Sequence, residues 1–362
     1  MSTALKSTTA AIALALGFGA AATTAQATVT FSTFVTAGDI AAVEGQNNTI
    51  AFNYAGNKFV GSVYFGPNNL QLFQTDLTGG NVLKFGAPLP TGGGEVVVAA
   101  SLGQAGFAKG NIFAGPDNNI YQYSNGGGAP VLFGSTDDGS GVRQILFDPG
   151  SSFGGKMLVA TTSGHILSFD SAGTRTLIAN IGTDTEGLDI ASSKYGKYAG
   201  QLLVASEGTG QIHAVSAGGI VTTLQSSSGG AVFVPSAETV SVVPLNLGAS
   251  GNPLEGFYVA NYPVDIQKAD ASQFAGLLGD AIVTSEDGSN SRVWDLFYNG
   301  DAADNFTVTQ VGNMPNQSED GIFVTAERII DVGPPGVPEP ASLALLGLGL
   351  AGLGFLRRKR AA

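Results

Sequence analysis

The strongest constraint on how this chain can fold is a stretch that it writes several times. The cleanest copy is Gly200–Val215, GQLLVASEGTGQIHAV: a glycine, a mostly apolar run, a short polar turn and a second alternating strand. The plan recurs at Gly155–Phe169 and, with a longer turn, at Gly279–Leu296. Two earlier copies begin at Gly61 and Gly110, so that successive starts from Gly61 to Gly200 lie 49, 45 and 45 residues apart. Both early copies carry a Gly-Pro-Asx-Asn turn, at 66–69 and 115–118. A sheet motif with a period in the forties indicates a propeller or a related repeat array. Each unit has room for four short strands joined by tight Gly, Asn, Asp and Ser turns, which is what one blade requires. The expected fold is therefore all-β, a β-propeller of about five to six four-stranded blades, with an open repeat or solenoid as the competing architecture.

In the fourth unit the four segments are Gly187–Ala191, Gln201–Ala205, Gln211–Val215 and Ile220–Leu224. The first should line the axis and the last should form the rim. From Gly200 to Gly279 the spacing stretches to 79 residues, so an insertion is expected around 232–274. Insertions in repeat proteins map to loops on one face. An early strand at Thr28–Thr36 and a late one at Gly321–Thr325 are left over, and they offer closure of the ring by opposite termini.

The two ends speak of location. Residues 1–27 have a positive start at Lys6, a short apolar run over Ala10–Ala22, and small residues Ala25 and Ala27 at the −3 and −1 positions of a cleavage site. This is the pattern of a secretory signal peptide, with the mature chain starting near Thr28. At the other end a Pro/Gly spacer with Pro338-Glu339-Pro340 (333–340) precedes an apolar segment (341–356) and a basic tail (357–362) holding Arg357, Arg358, Lys359 and Arg360. As a helix the uninterrupted apolar run 342–356 measures about 22 Å, short of a hydrocarbon core of about 30 Å. The expectation is a marginal transmembrane helix whose basic flank stays cytoplasmic.

Those three parts in that order closely resemble the PEP-CTERM sorting signal. The resemblance implies recognition by an exosortase, a membrane transpeptidase-like enzyme of Gram-negative bacteria that often make exopolysaccharide. It therefore implies export, a transient membrane tether, and a final place at the cell surface or in the extracellular matrix, with exopolysaccharide as an expected partner. The body, expected over 28–332, resembles the NHL and gluconolactonase-like propellers, some of which bind calcium in the channel for ester or lactone hydrolysis.

Setting aside Lys6, Glu339 and the four terminal basic residues leaves 27 acidic and 11 basic groups, a net charge of −16. That balance argues against nucleic acid or anionic lipid as partners and is compatible with divalent cations. Glu44, Glu95, Glu186, Glu238 and the pair Glu319-Asp320 all sit at or just ahead of an expected inner strand. Of these, Glu186, Glu238, Glu319 and Asp320 are the candidates to converge at one mouth of the channel and hold calcium, which takes six to eight oxygen ligands. Arg143 stands where the third unit would place its acid, and can neutralise such a ring from within. Glu207 and Glu286 follow second strands and read as hairpin-turn acids. The chain has no cysteine, and its two histidines, His165 and His213, fall in third strands, where packing is the plainer role. No catalytic set emerges. Trp294 and Tyr298 lie four apart on an alternating strand and share a face, either in the core or as a platform for a glycan. The leading expectation is an exported propeller that binds or supports without turnover; a calcium-dependent lactone or ester hydrolase and a bare scaffold of the exopolysaccharide layer are the alternatives.

Overall fold

The computed structural model describes residues 28–64, 70–286, 288 and 291–326. Their strands form six antiparallel four-stranded sheets arranged as blades. The first blade holds β2 (Thr49–Tyr54), β3 (Phe59–Val63), β4 (Leu72–Thr75) and β5 (Leu83–Phe85). The second holds β6 (Val96–Ala100), β7 (Ile112–Pro116), β8 (Asn119–Ser124) and β9 (Gly127–Ser135). The third consists of β10 (Val142–Phe147), β11 (Met157–Thr161), β12 (His165–Phe169) and β13 (Arg175–Asn180). The fourth consists of β14 (Leu188–Ile190), β15 (Leu202–Ser206), β16 (Gln211–Val215) and β17 (Val221–Thr223). The expected segment Gln211–Val215 coincides with β16.

The last two blades are interleaved in the chain. Blade five starts with β18 (Ala237–Val242) and resumes only at β21 (Ala281–Ser285), β22 (Arg292–Tyr298) and β23 (Phe306–Asn313). Between them lies the hairpin of β19 (Gly256–Tyr262) and β20 (Asp265–Asp270), which forms the middle of blade six. β24 (Gln317–Val324) supplies the inner strand of that blade and β1 (Ser32–Val35) its outer one, with Ser32 opposite Lys268. The extra residues between the fourth and fifth copies are thus a structural element of the ring and not a loop on one face. They complete a sixth blade out of strands that would otherwise be orphans.

Closure is tightened by aromatic packing. Phe34 of β1 meets Phe59 at 5.3 Å and Tyr258 at 4.8 Å between ring centroids, while Phe52 stacks on Phe59 at 4.8 Å. Rings of this kind bury large areas and favour offset or edge contacts. Blade one and blade six are fastened together through the outer strand of one and the inner strands of the other.

The inner strands β2, β6, β10, β14, β18 and β24 meet in turn around the axis. Polar side chains staple them across the gaps between blades. Asn53 Oδ1 accepts the Ala100 amide at 3.2 Å, Gln144 the Leu188 amide, and Asp189 Oδ2 the Val242 amide at 2.7 Å. Ser241 Oγ donates to the Gly321 carbonyl at 3.3 Å, and the Asp320 carboxyl takes the Phe52 amide. Inner-strand amides that face a channel have no sheet partner on that side, so these bonds satisfy groups that would otherwise be costly to bury.

One expectation about the fold is corrected. Among the described residues no helix is long and apolar enough to cross a membrane. The helices lying wholly among the described residues are α1 (Ala37–Glu44), capped by Thr36 accepting from the Asp39 amide and ended by Gly45 at φ 76°, and two short 3-10 turns. The transmembrane helix expected over 341–356 lies outside the described residues and is withdrawn as part of the fold. The segments 1–27 and 327–362, with Ala25, Ala27, Pro338 and the basic tail, also lie outside them, as does the turn at 66–69.

Candidate functional site

In an up-and-down blade the first strand starts at the mouth where the second ends and the third begins. Acids ahead of inner strands and acids in the second hairpin turn must therefore share one end of the channel. The structure assembles such a mouth. Arg143, the second residue of β10, lies at its centre with a half-buried guanidinium. Its Nη2 is 2.8 Å from Asp184 Oδ2 and its Nε 3.2 Å from Asp184 Oδ1, a bidentate pair. Its Nη1 reaches Glu186 Oε1 at 2.8 Å and also Glu95, and Nη2 lies 3.6 Å from Glu207 Oε2. Planar, multiply bonded guanidinium–carboxylate contacts are the strong kind.

Behind this pair the acids run deeper. Glu186 and Glu238 share a side-chain hydrogen bond, which needs a proton on one carboxyl. Burial pushes Glu186 up to about 7, although Glu238's hydrogen bond and the Arg143 charge pull the other way. Glu238, 2% exposed, is raised well above the ordinary carboxylate range by burial and by the like charge of Glu186. Glu319 is raised by burial and by Glu286 and Glu95, and Glu286 by burial and by Glu207 and Glu95. Asp320 is pushed up to about 7 by burial, against hydrogen bonds from the Phe52 and Gly321 amides and Gln144. Like charges brought together out of water are relieved by protons or by a cation.

The expected quartet is only partly one site. Oxygens of Glu207, Glu238 and Glu286 lie within 4.8 Å of one another, as do those of Asp184, Glu186 and Glu207. Glu238 belongs to the first set and Glu186 to the second, which Arg143 already occupies. Glu319 lines the same narrow constriction as Glu186 and Glu238, while Asp320 turns to the inner-strand amides. Glu44 ends α1, which packs against β4, β5 and β20, away from the mouth. Asp184 was not anticipated: it lies two residues upstream of Glu186, in the loop leading to β14, and only three-dimensional closure brings it to Arg143. The hairpin position of Glu207 and Glu286 was the signal that could have placed them at this mouth.

The other candidates sit elsewhere. Tyr298, 6% exposed, is buried with Tyr195, Tyr198 and Phe306, its ring 4.9 Å from Phe306. Tyr195 is brought there by the 3-10 turn at Ser193–Tyr198, and its hydroxyl donates to the Leu296 carbonyl while accepting the Ala281 amide. Trp294 is half-buried against the same cluster, under the Arg292 guanidinium at 5.5 Å. Trp294→Ala is expected to lower the melting temperature by roughly 5 °C through lost packing, with retention on exopolysaccharide unchanged. Retention lost at an unchanged melting temperature would restore the glycan platform. His213 is buried with Nδ1 3.1 Å from Thr223 Oγ1, and His165 pairs with Asp138 on the third blade. Neither joins the acidic mouth.

The PEP-CTERM protein-sorting motif model matches residues 336–360. No curated protein matches the chain. Among solved structures, a candidate gluconolactonase is similar over 83% of this chain and 86% of its own, with 12% identity and a TM-score of 0.50. A structure of unknown function from Bacteroides thetaiotaomicron covers 80% and 69% at 11% identity and TM-score 0.49. Virginiamycin B lyase from Staphylococcus aureus, an inactive variant with quinupristin, covers 79% and 75% at 11% identity and TM-score 0.48. At 12% identity the first is a likeness of fold alone. The chain is a six-bladed propeller carrying a PEP-CTERM sorting motif, which implicates an exosortase-type sorting system and supports export to the cell surface.

Proposed function

We propose that this surface-sorted propeller is a binding protein without turnover, whose acidic channel mouth takes a divalent cation, calcium by preference. The observation that carries the reading is the set Glu207, Glu238 and Glu286. Their oxygens fall within 4.8 Å of one another, the span expected for ligands each about 2.4 Å from one ion. Arg143 pairs directly with Asp184, Glu186, Glu95 and the near side of Glu207, and reaches Glu286 only through its charge. Glu286 accepts from Gln317, and a bound cation would take the remaining oxygens. A hard cation prefers oxygen donors of this kind. The nearest imidazoles belong to other parts of the blades, so a hydrolytic role would have to use these same carboxylates as base. Exopolysaccharide as the matrix around the protein remains part of this reading on the strength of the sorting motif.

Calorimetric melts of the exported protein in chelator and in millimolar calcium test it. The melting temperature should climb with the logarithm of free calcium once the site saturates, as linkage requires. Glu286→Gln should cancel most of that climb with little change in chelator. Superimposed melts with and without calcium would remove the cation from the mouth, and the binding role with it.

A further inference from the structure

The opposite end of the channel holds a cavity of about 740 Å³, separated from the acidic mouth by the constriction at Gln144 and Asp320. We propose that it is a binding site for an uncharged, amphipathic small molecule. Its volume is within the range of small-ligand pockets, about 300–1,000 Å³. Its wall carries a girdle of half-buried aliphatic side chains, Leu146, Ile190, Val242 and Ile322, each near the end of a different inner strand. These residues expose apolar surface to the channel that an apolar ligand body would remove from water.

The hydrogen-bonding groups left over beside that girdle are neutral. Asn53 spends Oδ1 on the Ala100 amide, and its Nδ2 donors have no acceptor among the described residues. Asn125 gives Nδ2 to the Ala55 carbonyl at 3.2 Å and keeps Oδ1. Thr325, 6% exposed at the cavity wall, has a hydroxyl with no partner among the described residues. The acids are internally compensated: Asp189 accepts the Ile190 and Val242 amides, each at 2.7 Å. Asp320, at the floor, is engaged by the Phe52 and Gly321 amides and by Gln144. The lysine of the lining, Lys109, is solvent-exposed, so a charged ligand seated against the buried girdle would be desolvated without a counter-charge beside it, whereas a neutral one avoids that penalty. The chemistry selects against charge and for an apolar body with one or two polar groups.

A matched dye pair reads this directly. N-phenyl-1-naphthylamine is uncharged, and 1-anilinonaphthalene-8-sulfonate is the same skeleton with one negative charge. Titrated into the whole protein, the neutral dye should show a saturable, one-to-one fluorescence increase, and the sulfonate should bind at least tenfold more weakly. Ile190→Trp, which fills the girdle, should weaken the neutral dye at least tenfold. If that variant melts early, Asn246→Trp at the exposed mouth serves instead, with the same expected loss. Thr325→Val should weaken binding several-fold without loss of stability. No saturable increase, equal binding of both dyes, or undiminished binding to a folded, plugged variant would overturn the proposal. The readout is independent of the acidic mouth, since chelator and Glu286→Gln should leave the neutral dye's affinity unchanged.

Discussion

Arg143→Met is expected to destabilise the propeller by about 3–5 kcal/mol, the range for removing one partner of a buried ion pair, and to lower its melting temperature by roughly 5–10 °C. The methionine keeps much of the volume, so the loss reports charge. The guanidinium answers Asp184 through two bonds and Glu186 through one, and both acids are largely removed from solvent. Glu95, whose side chain is 41% exposed, adds little, because solvent screens such pairs. Arg143→Lys should recover only part of the loss, since an ammonium cannot make the bidentate contact with Asp184. At pH 5 the methionine variant should approach the parent, because protonated carboxyls no longer repel. A melting temperature within 2 °C of the parent at pH 8 would mean that the mouth is wet enough to screen its own charges.

The repeat was legible because its periodicity is carried by backbone needs: glycine at the start of each second strand and short polar turns after it. Gly61 shows why. A Cβ there would lie 2.4 Å from the Phe73 ring and 2.8 Å from the Ala51 carbonyl, so this strand passes under an aromatic that tolerates nothing larger. Gly321 stands in the same relation to Phe257 in blade six. The sixth blade was legible only at its edges, as the leftover early and late strands that close the ring, because its four strands come from three places in the chain and no spacing connects them. The inner-strand start of β24 was placed at Gly321, whereas pairing with β19 begins at Gln317 and carries Glu319 and Asp320 inside the strand. Glu319 and Asp320 lie at a register shift opposite Ala260; Glu319 lines the constriction with Glu186 and Glu238, while Asp320 takes the Phe52 amide of the neighbouring blade.

The acid ring was half legible for a related reason. Glu186 precedes β14 and Glu238 is the second residue of β18, and both could be found by alignment of units. Glu207 and Glu286 occupy the next turn in the same alignment, yet their meeting with Glu238 depends on the antiparallel return of each second strand to the same mouth. Arg143 read as a departure from the acidic pattern, and in the fold it is the centre on which Asp184, Glu186, Glu95 and Glu207 converge.

Stability should fall as pH rises from about 4.5 to 8 in chelator, against the trend set by ordinary carboxylates. The sign follows from the direction of the shifts. Glu186 has a folded value of about 7 against an ordinary 4.5, so the folded protein holds a proton that the unfolded chain has released. Its contribution is complete below about 4.5 and is lost as pH climbs through 7, an effect of the order of 3 kcal/mol. Glu238, Glu319 and Asp320 are shifted the same way and steepen the fall. Turn acids such as Asp76 and Asp170 are held low by hydrogen bonds, from Thr78 and Thr174 first, and act below this window. His213 opposes the trend, because burial lowers it and its contribution is lost as pH falls; His213→Gln removes that part. Glu238→Gln should flatten the profile, since an amide can keep the hydrogen bond to Glu186 without the charge. Calcium should restore stability at pH 8 and do almost nothing at pH 5, where protons already hold the oxygens. Melts in chelator that are flat from pH 5 to 8 with His213→Gln in place would show that these acids stay solvated, and the competition between proton and cation at this mouth would have no basis.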